Sequence, residues 1–410
     1  MQAKKLIHHY KNILYILKKL QFMQNKNKFY NLTLYLILVI FSFSVNFYYS
    51  NFGLEPADSF VLFNGGFKVL NGLVPFKDYW LVTGPFMDYL NAFFFLILDV
   101  SWKSYIIHSS FINSLITILI FTLLVNLNLD KIFSLFYTFM FSLLMYPNVG
   151  NPFVDHHSTI FVLSAICFFI MGVKKKNNNY FFFIPLLLVI GFLCKQTPTT
   201  YGIFMIFFLG LVYLFYFKNI KIFILSVLYG SIFASIFLIL FFILTKIPIS
   251  NFFTQYIFFA SSIGDYRLSN WEFDILGVIH EFKFILIPLL YTIYLNVIFY
   301  KTKKKEAFLI LLSINLFTFL MIFHQSLTMN ENFIFFIIPI LTAFIHIFNE
   351  KKINRNIFLY SIIAICLFSV TKYHLRYNEH RKFHRLEKVD LKKSVDAEII
   401  SKKLKGLKWI

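Results

Sequence analysis

Two carboxylates three residues apart, Glu55 and Asp58, follow the first long apolar run of the sequence. An ionised carboxylate at a membrane edge can take a proton from an attacking hydroxyl, which is general-base work. Both residues also have structural uses. Asp58 could cap the helix-like run behind it, and Glu55 could be a solvated loop residue. Asp155 and His156 stand with His157 in MYPNVGNPFVDHHSTI, residues 145–160. Asp155 could hold a divalent cation together with Glu55 or Asp58, or cap the next helix. Adjacent histidines cannot share one helical face, which disfavours a metal site that uses both. Lys195 lies in CKQTPTTYG at the junction of two apolar runs, where an amine either snorkels or binds an anion. Gln196 beside it can add a hydrogen bond. Arg267 can clamp an anion bidentately. Its neighbours Tyr266 and Trp271 fit an interfacial aromatic belt better than a stacking platform. His324, Gln325, Asn330 and Glu331 gather at the end of a later apolar run.

The elements that must position these residues are set by composition. Of 410 residues, 59% are hydrophobic and only 14% charged, with mean hydropathy +0.70. A soluble domain carries about 25% charged residues. The apolar residues come in runs of roughly 15 to 25, the length that crosses a hydrocarbon core of about 30 Å. In lipid the backbone must satisfy its own hydrogen bonds, so such runs are helices and not barrel strands. The fold class expected is an all-α polytopic membrane protein. The net charge of +20 comes largely from short lysine clusters between the runs. Those clusters are topology signals and contacts to anionic lipid, not a nucleic-acid surface. Three cysteines, Cys167, Cys194 and Cys366, show neither disulfide nor metal spacing. A phosphate-cradling glycine loop, an HExxH helix and paired CxxC motifs are absent, which leaves nucleotide hydrolysis, zinc proteolysis and thiol redox chemistry without support.

Basic clusters at Lys174 to Lys176, Lys218 and Lys221, Lys301 to Lys305, and Lys351, Lys352 and Arg355 belong on one side with the basic N-terminus. An even number of spans must then precede Lys174. The short segment 85–98, which carries Asp88 and Asn91, is the one that does not cross. About eleven spans result. Residues 1–29 read as a cytoplasmic amphipathic segment, 30–371 as the membrane domain and 372–410 as a basic tail. Long outer loops cover 49–104 and 246–281, and an odd span count puts the tail outside too. The first outer loop holds two interfacial helices. In the first, Leu62, Phe63, Phe67, Val69 and Leu70 share a face opposite Asn64, Lys68 and Asn71, and Gly72 ends it. The second starts at Gly84 and Pro85.

This loop resembles the first outer loop of the C-type superfamily of integral-membrane glycosyltransferases, which includes protein O-mannosyltransferases and lipid A aminoarabinose transferases. In that superfamily an acidic residue follows the first span. A pattern like G-x-x-P-[YF]-x-D comes next, then a Gly/Pro turn and an interfacial helix. Asp58, Gly72, Pro75, Phe76, Asp78, Gly84 and Pro85 match in this order. The resemblance covers residues 30–215 and extends beyond them only by architecture. It implies Asp58, more than Glu55, as the catalytic acid position, and Asp155 as the second acidic residue, supported by Asp78 and His156. It implies Lys195, with Gln196, as the contact to a carrier phosphate; Arg267, by its own chemistry, is a candidate second clamp. Many relatives carry Lys-Pro-Pro where this chain has Thr83, Gly84 and Pro85, so the family's lysine at that turn is missing.

The implied reaction moves a sugar from a polyprenyl-phosphate donor to a glycan, lipid or protein acceptor on the outer face of the inner membrane. No cofactor is required beyond, at most, a divalent cation. A transporter or flippase for lipid-linked sugar is the rival reading, and it predicts ionisable residues near the midplane of spans. A polymerase or ligase of lipid-linked glycans is the other rival.

Overall fold

A computed structural model describes residues 32–51, 56–146, 150–217, 220–272, 274–328, 334–349, 355–376 and 390–409. Nearly all of this is helical. Helix α1 spans Leu32–Tyr49, α2 Pro56–Leu70, α3 Pro85–Leu98, α4 Trp102–Asn126, α5 Lys131–Met145 and α6 Val154–Lys175. Next come α7 Asn179–Cys194, α8 Gln196–Tyr216 and α9 Ile220–Thr245. The region expected as a second long loop is itself helical: α10 Ile249–Phe252, a π-helical turn Phe253–Phe259 and α11 Ala260–Ser269. The bundle closes with α12 Ile275–Lys301, α13 Lys305–Thr328, α14 Ile337–Phe348 and α15 Arg355–Leu375.

Eight of these helices are long and apolar enough to cross a membrane: α1, α4, α6, α8, α9, α12, α13 and most of α15. Four more, α3, α5, α7 and α14, are apolar but shorter. The protein is thus a predominantly helical, polytopic membrane protein.

Burial sorts the long helices. The best apolar window of α6 is 89% buried and that of α9 only 11%. Helix α6 packs against α4, α7, α8 and α13, and is the axis of the bundle. Helix α9 presents Ile232, Ile236, Ile239 and Leu240 outward. Such exposure is cheap where the surroundings are lipid tails.

Hydrogen-bonding side chains stitch the helices where packing alone has no hydrophobic drive. Asn46 on α1 donates to Ser109 and Ser110 on α4, and accepts from Asn113 at 2.6 Å. Lys174 and Glu306 pair at 2.9 Å between the far ends of α6 and α13.

Two helices form in the first loop, where two were expected. Helix α2 begins at Pro56, so Asp58 sits in its first turn rather than capping it. Leu62 and Phe63 are buried while Asn64 and Asn71 are exposed. Gly72 follows with φ +85°, the left-handed region a helix-ending glycine supplies. Helix α3 starts with Gly84 as N-cap and Pro85 in its first turn.

Part of the basic tail is folded. Helix α15 continues to Leu375, and residues 390–409 fold back as a small unit. Strand β1, Val395–Asp396, pairs antiparallel with β2, Lys408–Trp409. Ala397 and Leu407 bury among Leu62, Phe63, Phe95 and Val100. The tail therefore lies at the same end of the bundle as α2 and α3.

Candidate functional site

The polar centre of the molecule forms where α6, the α7–α8 turn and α13 meet. Asp155, in the first turn of α6, is 1% exposed. Its Oδ2 accepts from Lys195 Nζ at 2.5 Å, and its Oδ1 accepts from His324 Nε2 at 3.0 Å. Phe153, not Asp155, occupies the N-cap of α6. Lys195 reaches the carboxylate because its backbone is extended, with φ −159° and ψ 143°, between two helices. Ser158 and Thr199 tie the turn to α6 through a 2.6 Å hydroxyl contact. An unpaired carboxylate at this depth would cost several kcal/mol, roughly 3–5, so the amine and the imidazole are its structural condition. His324 Nδ1 and Thr83 Oγ1 are buried with no hydrogen-bond partner among the described residues.

The first outer loop docks on this centre. Gly84 N–H donates to Cys194 O at 2.9 Å. A Cβ at Gly84 would stand 1.9 Å from Leu193 O, so only glycine permits the approach. Gln196 Nε2 donates to Val82 O at 3.1 Å and to Tyr256 O at 2.5 Å, joining the loop to the π-helical turn. Gln255 completes the clamp, accepting from Leu81 N–H at 3.0 Å and donating to Phe76 O at 3.0 Å. The resemblance-derived role of Gln196 at a carrier phosphate thus falls on an amide whose nitrogen already bridges two backbone carbonyls.

Asp58 is exposed at the start of α2. The next residue, Ser59, donates to Asn151 Oδ1 at 3.1 Å, and Ser59 O accepts from Tyr105 at 3.0 Å. Tyr105 also reaches Pro152 O at 3.3 Å. Through these contacts the start of α2 is fixed against the segment that leads into Asp155. Glu55, Asn330 and Glu331 lie outside the described residues.

Asp78 serves a turn. Its Oδ2 accepts from Val74 N–H at 2.7 Å, and Phe76 N–H donates to Tyr79 O at 3.0 Å. Phe76 takes φ +67° there, with its ring buried. His156 is buried and its Nε2 faces Met145 O. Arg267 is exposed on α11, which has no buried residue. The cation reading of Asp155 gains no cluster: among the described residues no three His, Cys, Asp or Glu side chains group as metal ligands.

Several members of this region carried no functional weight in the sequence. Asp88 on α3 is 1% exposed and accepts from Tyr79 Oη at 2.7 Å. Burial pushes its carboxyl up to about 7, against the opposing pull of the Tyr79 hydrogen bond and the Lys68 amine. Gly65 makes the room, since a Cβ there would stand 2.1 Å from Asp88 Oδ1. Further along α3, Asn91 donates to Leu62 O at 3.1 Å, and its Oδ1 contacts His108 Nδ1 at 2.6 Å. His108 Nε2 faces His157 Nε2 at 3.2 Å, and His157 Nδ1 reaches Phe153 O at 2.9 Å. The signal that could have found His108 was an ionisable residue inside an apolar run.

A hydrocarbon-lined cavity of about 950 Å³ lies between α7, α8, α9 and the π-helical turn. Phe192, Leu193, Phe207, Leu211, Leu228 and Ile257 are among its walls. Leu193 is two residues from Lys195, and Ile257 adjoins Tyr256, the carbonyl partner of Gln196.

No family model, curated protein or solved structure matches this chain.

Proposed function

We propose that the protein is an integral-membrane glycosyltransferase that uses a polyprenyl-phosphate-linked sugar. One observation carries the reading: an apolar cavity has in its wall Leu193, two residues before the Lys195 whose amine meets Asp155 and, through it, His324. That is the chemistry of an amphiphile with a hydrocarbon chain and an anionic head. The chain lies in the cavity, and the leaving phosphate meets Lys195, whose ammonium keeps donor capacity beyond Asp155. Arg267, exposed on α11 beside the π-helical turn and α13, is the second candidate phosphate contact.

Asp58 is the proposed base. It takes the proton of an acceptor hydroxyl, the acceptor oxygen bonds to the anomeric carbon, and the sugar–phosphate C–O bond breaks with its electron pair leaving on phosphate. The configuration inverts. The short helices α5, α7 and α14 complete about eleven crossings with the eight long ones. The reacting end then faces outward across the inner membrane, because the lysine clusters stay with the cytoplasm. The flippase rival asks for ionised groups at mid-span. Asp155 and Lys195 instead flank helix ends.

The test is Asp58→Asn in membranes supplied with polyprenyl-phosphate sugars. Loss of sugar transfer with normal protein level is the expected outcome. Full transfer would remove Asp58 from the role.

A further inference from the structure

A second cavity, about 820 Å³, lies where the folded-back tail meets α3 and the start of α4. Three amines line it: Lys103 at the start of α4, and Lys402 and Lys405 from the tail. Asp99 is the one carboxylate of its wall. No ion-pair partner of Lys103, Lys402 or Lys405 exists among the described residues. The nearby Lys408, by contrast, pairs with Asp396 at 2.8 Å. Three lysines against one carboxylate leave the cavity's charge positive.

The tail amines are held in place. Ala397 N–H donates to Leu407 O at 3.0 Å, and the β1–β2 pair closes the segment. Burial of Ala397 and Leu407 against α2 and α3 anchors it. Gly406, at φ +88°, turns the chain beside Trp102: a Cβ added there would stand 3.9 Å from Trp102 N. Folding therefore spends packing energy on bringing like charges together, a cost that an anion would relieve.

Apart from Asn51 and Ser101, the rest of the wall is mostly apolar, with Phe47 of α1, Leu70 of α2, and Phe95, Leu96 and Leu98 of α3. Leu96 is 71% exposed, and Phe93 and Ile97 beside it are also exposed. The apolar floor thus runs onto a lipid-facing stripe of α3. Leu70 ends α2 and Asp58 lies in its first turn, about 18 Å away at 1.5 Å per residue. The cavity is distinct from the polar centre around Asp155.

We infer that this cavity binds the phosphate headgroup of an anionic phospholipid, with Lys103, Lys402 and Lys405 on the phosphate and an acyl chain along α3. The tail is then a lipid-reading lid at the end of the bundle opposite the Lys301 to Lys305 cluster. The inference is independent of the transferase reading.

The experiment uses the full chain in phosphatidylcholine nanodiscs containing a phosphatidylglycerol with a photoactivatable acyl chain. Label is mapped by peptide mass. Labelling of the Phe93–Lys103 stretch should exceed that from the matching photoactivatable phosphatidylcholine by about tenfold. Combined Lys103→Gln, Lys402→Gln and Lys405→Gln should bring it to the phosphatidylcholine level, and the triple Lys→Arg variant should keep it. Asp99→Asn, which removes the opposing carboxylate, should raise it. Equal labelling by both lipids, or no change in the Gln variant, overturns the site. Loss of label to inorganic phosphate at the lipid's own concentration overturns the lipid assignment in favour of free phosphate.

Discussion

Asp155 Oδ1 sits 3.0 Å from His324 Nε2 although 169 residues separate them. With Lys195 on the other oxygen, the carboxylate closes a three-way junction of α6, the α7–α8 turn and α13. Asp155→Asn should leave a half-buried ammonium without its counter-charge and destabilise the fold by about 3–5 kcal/mol. Adding Lys195→Met should return most of that loss. Thermal unfolding of the single and double variants in detergent measures both, and additive losses would break the pairing argument.

The two acids of the first loop should separate cleanly. Asp78 holds a turn through one backbone hydrogen bond, while Asp58 is exposed and free of any such duty on the turn. Asp78→Asn should cost about 1 kcal/mol of stability and leave residual transfer. Asp58→Asn should cost little stability and all transfer. Paired unfolding and transfer assays on the two variants distinguish them.

Gly84→Ala should be among the most damaging single-methyl changes in the chain. The added Cβ would press on Leu193 O at 1.9 Å, a backbone atom that cannot rotate aside. The loop must lift from the α7–α8 turn, at a cost of about 1–3 kcal/mol or more. Protease accessibility of the loop around Trp80, compared between variant and parent, reports the lift.

Asp88 gives a pH dependence of definite sign. Its carboxyl is raised from 3.8 to about 7 in the folded protein. Between those values the folded chain holds a proton that the unfolded chain has released. Stability should therefore be fullest below the unfolded value and fall as pH rises toward 7, then level off. Asp88→Asn should flatten this slope without moving the plateau at low pH by much. Thermal midpoints across that range, in parent and variant, check it.

The comparison of sequence with structure turns on particular segments. Helix α2 and the start of α3 were legible because their signals are local: amphipathic spacing, Gly72, and the Gly84–Pro85 pair. Residues 246–281 were read as a loop, yet α10, the π-helical turn and α11 fill most of that stretch. The run Phe252–Phe259 is apolar but too short to stand out as a span, and its role depends on Gln255 and Tyr256 meeting a loop far away in the chain. His324 stood out only by position. Asp88 was useful for counting spans and told nothing of Tyr79.

By itself the sequence determined the class, an all-helical membrane protein, because runs of apolar side chains long enough to span lipid leave the backbone only the helix. It also marked Asp58, Asp155 and Lys195 as charges at helix boundaries. Which charges meet was decided by the tertiary structure alone. Ion pairs and close backbone approaches, such as Asp155 with His324 or Gly84 against Leu193, depend on how helices cross, and crossing is set by packing between segments that no local pattern encodes.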